Sequence, residues 1–442
     1  MRKIFLIILG SIDLFLYICR KFSANMDNID IELSKVIDAA VQSSIDIGQV
    51  ASLKDLYKEK KNSLNLSDRQ IQKILGMDSK TINPILNGTA KQINFINVVK
   101  LAHFLGLSVN DLIKVYVPEL APKQIGEIQR AREAGYIVEN FDVSILVKMK
   151  FFNSNASSKD MSDKIKRFFD IDNIYSYSEN SLLPVFSRSK RNSNDLMRNF
   201  WIQSAFIQFK SIANPNPYIR KELVELIPKI RPYTRDIKNG LIRVLKALFR
   251  IGVTVIYQPS LEKIQVRGAT MIINDKPCIV LSNLQNNYPT LWFTLLHELH
   301  HVLFDFDEIK KQTYHISNNE GDIFLMNEEQ ADNFACEYLL NESRLKFASG
   351  YITSHYNIEK LAKEWGVHTS IIYAMYCYKT NEWAFYNKYI PKMNEALELI
   401  NTHPFEKETL MESVQQIKEF LYNKLWKKKR KKNLRRKKKK SK

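Results

Sequence analysis

Eight histidines are spread over 442 residues, and three of them fall within "LLHELHHVLFDF", residues 295–306. The spacing His297-Glu298-x-x-His301 has a chemical use. On a helix, positions i and i+4 lie one turn apart on one face, so two imidazoles can grip a tetrahedral Zn²⁺ while the carboxylate after the first histidine stands beside a water on that ion. Trp292, Leu295, Leu296, Leu299 and Leu303 form the opposite, apolar face, and Thr294, His297 and His301 share the other, which is expected to line a cleft. A third ligand is expected from "NEEQADNFACEYLL". There Ala331, Phe334, Ala335, Tyr338 and Leu339 make a core-facing stripe with Glu328 at its edge, whereas Glu329 points further away. A carboxylate held towards a core is costly unless a charge receives it, and zinc would. Asp332, one turn on, is placed to accept a hydrogen bond from a ligand histidine and fix its tautomer. Three protein ligands leave one position for water, with Glu298 as the general base, so the expected chemistry is metal-assisted hydrolysis. His300 is left with three readings: crowding the cleft, serving as an alternative ligand, or sitting in solvent. His315, Tyr314, His355 and His368 are unranked candidates for an oxyanion donor, and His103 and His403 read as structural.

The elements that must position this constellation come just before it. "GVTVIYQ", "GATMIIN" and "PCIVLSN" are short β-rich runs, the last two joined by Asp275-Lys276 as a hairpin leading into a helix that starts near Pro289. A strand beside the metal helix offers an edge to which an extended peptide could add. "WFTLLHELHHVL" followed by "EEQADNFACEYLL" resembles the ImmA/IrrE family of zinc metallopeptidases, over roughly residues 245 to 345. The family's helix more usually reads HELGH, and His300 replaces that glycine. The resemblance implies an α+β, zincin-like catalytic domain.

Nearer the front, "LSDRQIQKILGMDSKTINPILNG" reads as two short helices, capped by Ser67 and Asp78 and joined at Gly76, with Ile71, Ile74 and Leu75 on the first and Ile82, Ile85 and Leu86 on the second. Helices joined this tightly cross steeply, leaving Ser79, Lys80, Thr81 and Asn83 free to face a DNA major groove. With "FINVVKLAHFLGLSVNDLI" behind it, the segment resembles the lambda-repressor-like (XRE) helix-turn-helix family over about sixty residues. That implies an all-α domain binding a palindromic double-stranded DNA operator as a homodimer. Pro84 departs from that pattern, because it removes a backbone donor and can bend the helix. "ENFDVSILVKM" before the catalytic part and "NIEKLAKEWGVHTSIIYAMY" after it resemble the subgroup that fuses the two domains, whose usual setting is regulatory, near toxin-antitoxin modules or mobile elements.

Composition sets the remaining bounds. At 45% hydrophobic and 11% aromatic the chain can bury sizeable cores. Its formal net charge of +19 owes thirteen basic residues to the tail 427–442, which contains no acid and is expected to be disordered, binding polyanions without preference. Four well-separated cysteines give no disulfide framework and suit a reducing cytoplasm. The apolar stretch from Ile4 to Cys19 contains Asp13 and falls short of the ~20 residues that span a bilayer, so no stable membrane association is expected. The expected order is an apolar extension (1–25), a helix-turn-helix domain (50–118), a helical connector (119–245), the metallopeptidase domain (246–345), C-terminal helices (346–425) and the basic tail (426–442). The whole is mainly α. It reads as a DNA-binding regulator whose endopeptidase acts on a regulatory protein, the rival being an antitoxin-like repressor with a vestigial metal site.

Overall fold

The computed structural model describes residues 52–90, 94–116, 120, 122–179, 193–318 and 328–422. The apolar extension and the basic tail lie outside them. The chain divides into two compact units, Met1–Arg132 and Glu133–Lys442. It is mostly helical, with one four-stranded mixed sheet in the second unit. Among the described residues, no helix is long and apolar enough to cross a membrane.

Among the described residues, the first unit contains the short helices α1 (Leu53–Ser63), α2 (Asp68–Leu75), α3 (Ser79–Leu86), α4 (Phe95–Leu105) and α5 (Val109–Tyr116). Ser67 and Gln70 form a reciprocal capping box at the start of α2, Gly76 ends it at φ +63°, and Asp78 caps α3. The left-handed turn at Gly76 is one a Cβ would disfavour, so the glycine fixes where α2 stops. Ile71, Leu75, Ile82, Ile85, Leu86 and Leu101 share one core. Ile74 does not join them and is 62% exposed. On so short a helix only one edge of the i, i+3, i+4 stripe reaches the core, and Ile71 and Leu75 take it. Pro84 sits inside α3, which remains helical to Leu86.

α6 (Pro122–Asn140) begins before the unit boundary, and Asp142 caps a new helix, α7 (Val143–Lys148). One hydrophobic core runs from Ile137 to Leu421. From Ile137 onward, the residues expected as a connector therefore contribute to the same core as the strands and the histidine helix. α8 (Ser193–Ile212) and α9 (Gly240–Arg250) lead to β1 (Thr254–Tyr257), β2 (Val266–Ile273) and β3 (Lys276–Leu281). The hairpin turn is Asn274-Asp275, one residue earlier than expected; both have positive φ, +51° and +60°, as a tight two-residue turn requires. Next come α10 (Tyr288–Phe304), α11 (Phe306–Gln312), β4 (Tyr314–Asn318), α12 (Glu328–Leu340) and α13 (Thr369–Thr380). The sheet order is β1-β3-β2-β4, with β1 and β3 parallel and the other pairs antiparallel.

The helix α10 differs from its expected amphipathic form. Apart from Phe293, every residue from Tyr288 to Leu303 is buried. It is enclosed between the sheet on one side and α12 and α13 on the other, so the histidine side is as dry as the leucine side.

Candidate metal centre

His297, Glu298 and His301 project from the middle of α10, where packing on all sides locks them. The imidazole Nε2 atoms of His297 and His301 are 3.1 Å apart and face the carboxylate of Glu328, the first residue of α12, at 3.2 and 3.4 Å respectively. The three donors lie within 4.8 Å of one another. Glu329 is exposed and takes no part.

Each histidine is oriented from behind. His297 Nδ1 is 2.9 Å from Asp332, as expected; His301 Nδ1 is 2.7 Å from Asp305, which the sequence reading did not single out although it lies four residues on. An ionised carboxylate only accepts, so both Nδ1 atoms donate, and both Nε2 atoms turn inward towards Glu328. Burial by itself would lower the pKa of these histidines. Hydrogen bonds to Asp332 and Glu328 outweigh it and raise His297 to about 10, and those to Asp305 and Glu328 raise His301 to about 9. Burial likewise pushes Glu328 up, but hydrogen bonds from His297, His301 and His315 hold it well below the usual carboxylate range. Four carboxylates around two imidazoles make a pocket for positive charge, which protons or a metal ion can supply.

Glu298 is fully buried. Its Oε2 accepts from Thr270 Oγ1 on β2 at 2.7 Å, and its Oε1 has no hydrogen-bond partner. Gly268, two residues before Thr270 and on the same face of β2, makes room for it. A Cβ there would lie 2.5 Å from Glu298 Oε1. A buried, unpaired carboxylate oxygen beside three convergent donors is what a water activated at a metal would satisfy, so the residues present fit a divalent ion.

The other histidines sort by position. His300 is 5% exposed, with its ring against Phe304 and Phe334, so it is not in solvent. It lies outside the His297–His301–Glu328 group but forms a second group of donors with His301 and Asp305, which keeps the alternative-ligand reading. Burial, and then the charge of His301, lower its pKa. His315 stands opposite Thr270 in the sheet, and its Nε2 is 2.7 Å from Glu328 Oε1. Tyr314 opens β4. His355 stacks on Tyr389 and meets the Tyr373 hydroxyl, while His368 caps α13 through Ser370, so both are engaged elsewhere. His103 is exposed, and His403 is exposed beside Glu406.

On α3 of the first unit, Ser79, Lys80 and Asn83 are exposed. Thr81 is not free to read a base, because its hydroxyl donates to the Asp78 carboxylate at 2.6 Å as part of the helix cap.

A helix carrying HExxH, packed on a mixed sheet and completed by a carboxylate from a following helix, defines a metallopeptidase-type site. Residues 250–375 match the family model described as the IrrE N-terminal-like domain, a peptidase family. The match covers both α10 and α12 and supports a metallopeptidase-type function for this part of the chain. Comparison with curated proteins and with solved structures finds nothing that matches.

Proposed function

We propose that this protein is a zinc-dependent endopeptidase joined to a DNA-binding head, and that it cleaves another regulatory protein. The observation that carries the reading is Glu298. A carboxylate with no exposed surface, tethered at one oxygen by Thr270 and unpaired at the other, serves no evident packing purpose but is placed as a proton acceptor. His297, His301 and Glu328 would hold the ion, whose chemistry is to polarise a carbonyl and lower the pKa of a water. Glu298 takes the proton from the attacking water and delivers it to the leaving amine. Thr270 keeps the carboxylate aimed during that exchange, and the enclosing sheet and helices exclude competing water. For the head, support comes from the capped α2–α3 pair and the exposed Ser79, Lys80 and Asn83.

Wild type and Glu298→Gln are to be compared in cells by labelling newly formed protein N-termini, with zinc content measured on each purified protein. Both variants should carry about one zinc per chain, because Glu298 is not a ligand. New N-termini should appear with wild type and vanish with Glu298→Gln. Identical N-termini at full zinc loading would leave a metal-stabilised binding protein of the antitoxin-like kind.

A further inference from the structure

His297 and His301 are held rigidly because they stand mid-helix in a packed core. Glu328 is different: it opens its helix, and its side chain is 38% exposed. A flexible carboxylate at a helix start has rotamer freedom that the two imidazoles lack, and a metal site needs its ligands fixed. Its carboxylate nevertheless meets a partner from another element. His315 is 8% exposed and stands on β4, in register with Thr270 on β2. Its ring lies 4.5 Å from the His301 ring, and its Nε2 reaches Glu328 Oε1 at 2.7 Å. Because the ionised carboxylate can only accept, Nε2 is the donor. Oε2 faces His297 Nε2.

We infer that His315 is a positioning residue for the third metal ligand: its Nε2–H holds Glu328 Oε1 and so presents Oε2 to the ion. The inference rests on the metal-site reading above and deepens it. The three convergent donors are His297, His301 and Glu328; His315 packs its ring against His301 and makes its hydrogen bond to that triangle through the Glu328 carboxylate. It thus matches the other orienting partners, with Asp332 behind His297, Asp305 behind His301 and His315 behind Glu328. Holding one carboxylate oxygen disfavours two-oxygen binding, which would fill the position a water needs.

The test uses the full chain with Zn²⁺ competed against a chromophoric chelator, and with Co²⁺ read by its visible absorption. His315→Gln keeps an N–H at a similar reach; His315→Asn is polar but too short, and His315→Leu has no donor. His315→Leu and His315→Asn should bind Zn²⁺ roughly 10–100-fold more weakly and change the Co²⁺ band intensity, while His315→Gln stays within a few-fold of wild type with its spectrum. Wild-type affinity in all three variants overturns the inference. Equal loss in His315→Gln and His315→Leu also overturns it, in favour of direct ligation by the imidazole. A wild-type protein that binds no better than one carrying both His297→Ala and His301→Ala removes the metal site itself, an outcome distinct from either. Thermal melts of the metal-free variants separate loss of fold from loss of ligand orientation, and the Gln–Asn contrast still decides if the Leu variant does not fold.

Discussion

Replacing Gly268 by alanine should disable the general base without touching a metal ligand. The added Cβ would lie 2.5 Å from Glu298 Oε1, 2.8 Å from Thr294 Cγ2 and 3.0 Å from Glu298 Cδ, where ordinary contacts begin at 3.4 Å. The carboxylate must therefore retreat by about 0.9 Å, and its 2.7 Å hydrogen bond to Thr270 is stretched or lost. Overpacking a core site by one methyl costs roughly 1–3 kcal/mol. Displacing a catalytic group by about 1 Å costs on the order of 100-fold in rate. Zinc content should stay at the wild-type level, because none of the three atoms nearest the added Cβ belongs to His297, His301 or Glu328. The assay is a double-mutant cycle in thermal or denaturant unfolding with Glu298→Ala. Removing the carboxylate takes away two of the three close atoms, so Gly268→Ala should cost less in that background by at least ~0.5 kcal/mol. The Thr294 methyl keeps the residual cost above zero. Equal costs in both backgrounds, or loss of zinc in Gly268→Ala, would refute the steric reasoning.

Metal affinity should rise with pH. The pKa values of His297 and His301 are raised, to about 10 and about 9, so near neutrality protons stand where an ion would bind and must be displaced. Affinity should fall as pH falls, by roughly one to two decades per unit between about pH 6 and about pH 8, and a flat profile in chelator competition would contradict this. For the head, deleting residues 427–442 should reduce the salt dependence of DNA binding while preference for DNA upstream of the protein's own gene persists. Lys80→Ala with Asn83→Ala should then weaken that preference by roughly tenfold or more; preference that leaves with the tail and ignores these two residues would rule out readout by α3.

The parts of the site legible in the sequence are those set by helical spacing. His297 and His301 share a face because they are four residues apart, and Glu328 and Asp332 follow from the apolar stripe that orients α12, whatever the rest of the chain does. Asp305 obeys the same i+4 rule from His301 and was there to be read. Caps at Ser67 and Asp78 and the turn at Gly76 are likewise local chemistry. Gly268, Thr270 and His315 belong to a different category. They meet Glu298 and Glu328 only because β2 and β4 pair in one register and lie against α10, and no periodicity links positions tens of residues apart. The same holds for burial. Local pattern assigns α10 a wet face and a dry face, but sheet and helices close over both, which strips water from the histidines, leaves one oxygen of Glu298 unpaired and turns a spacing motif into a site able to hold charge.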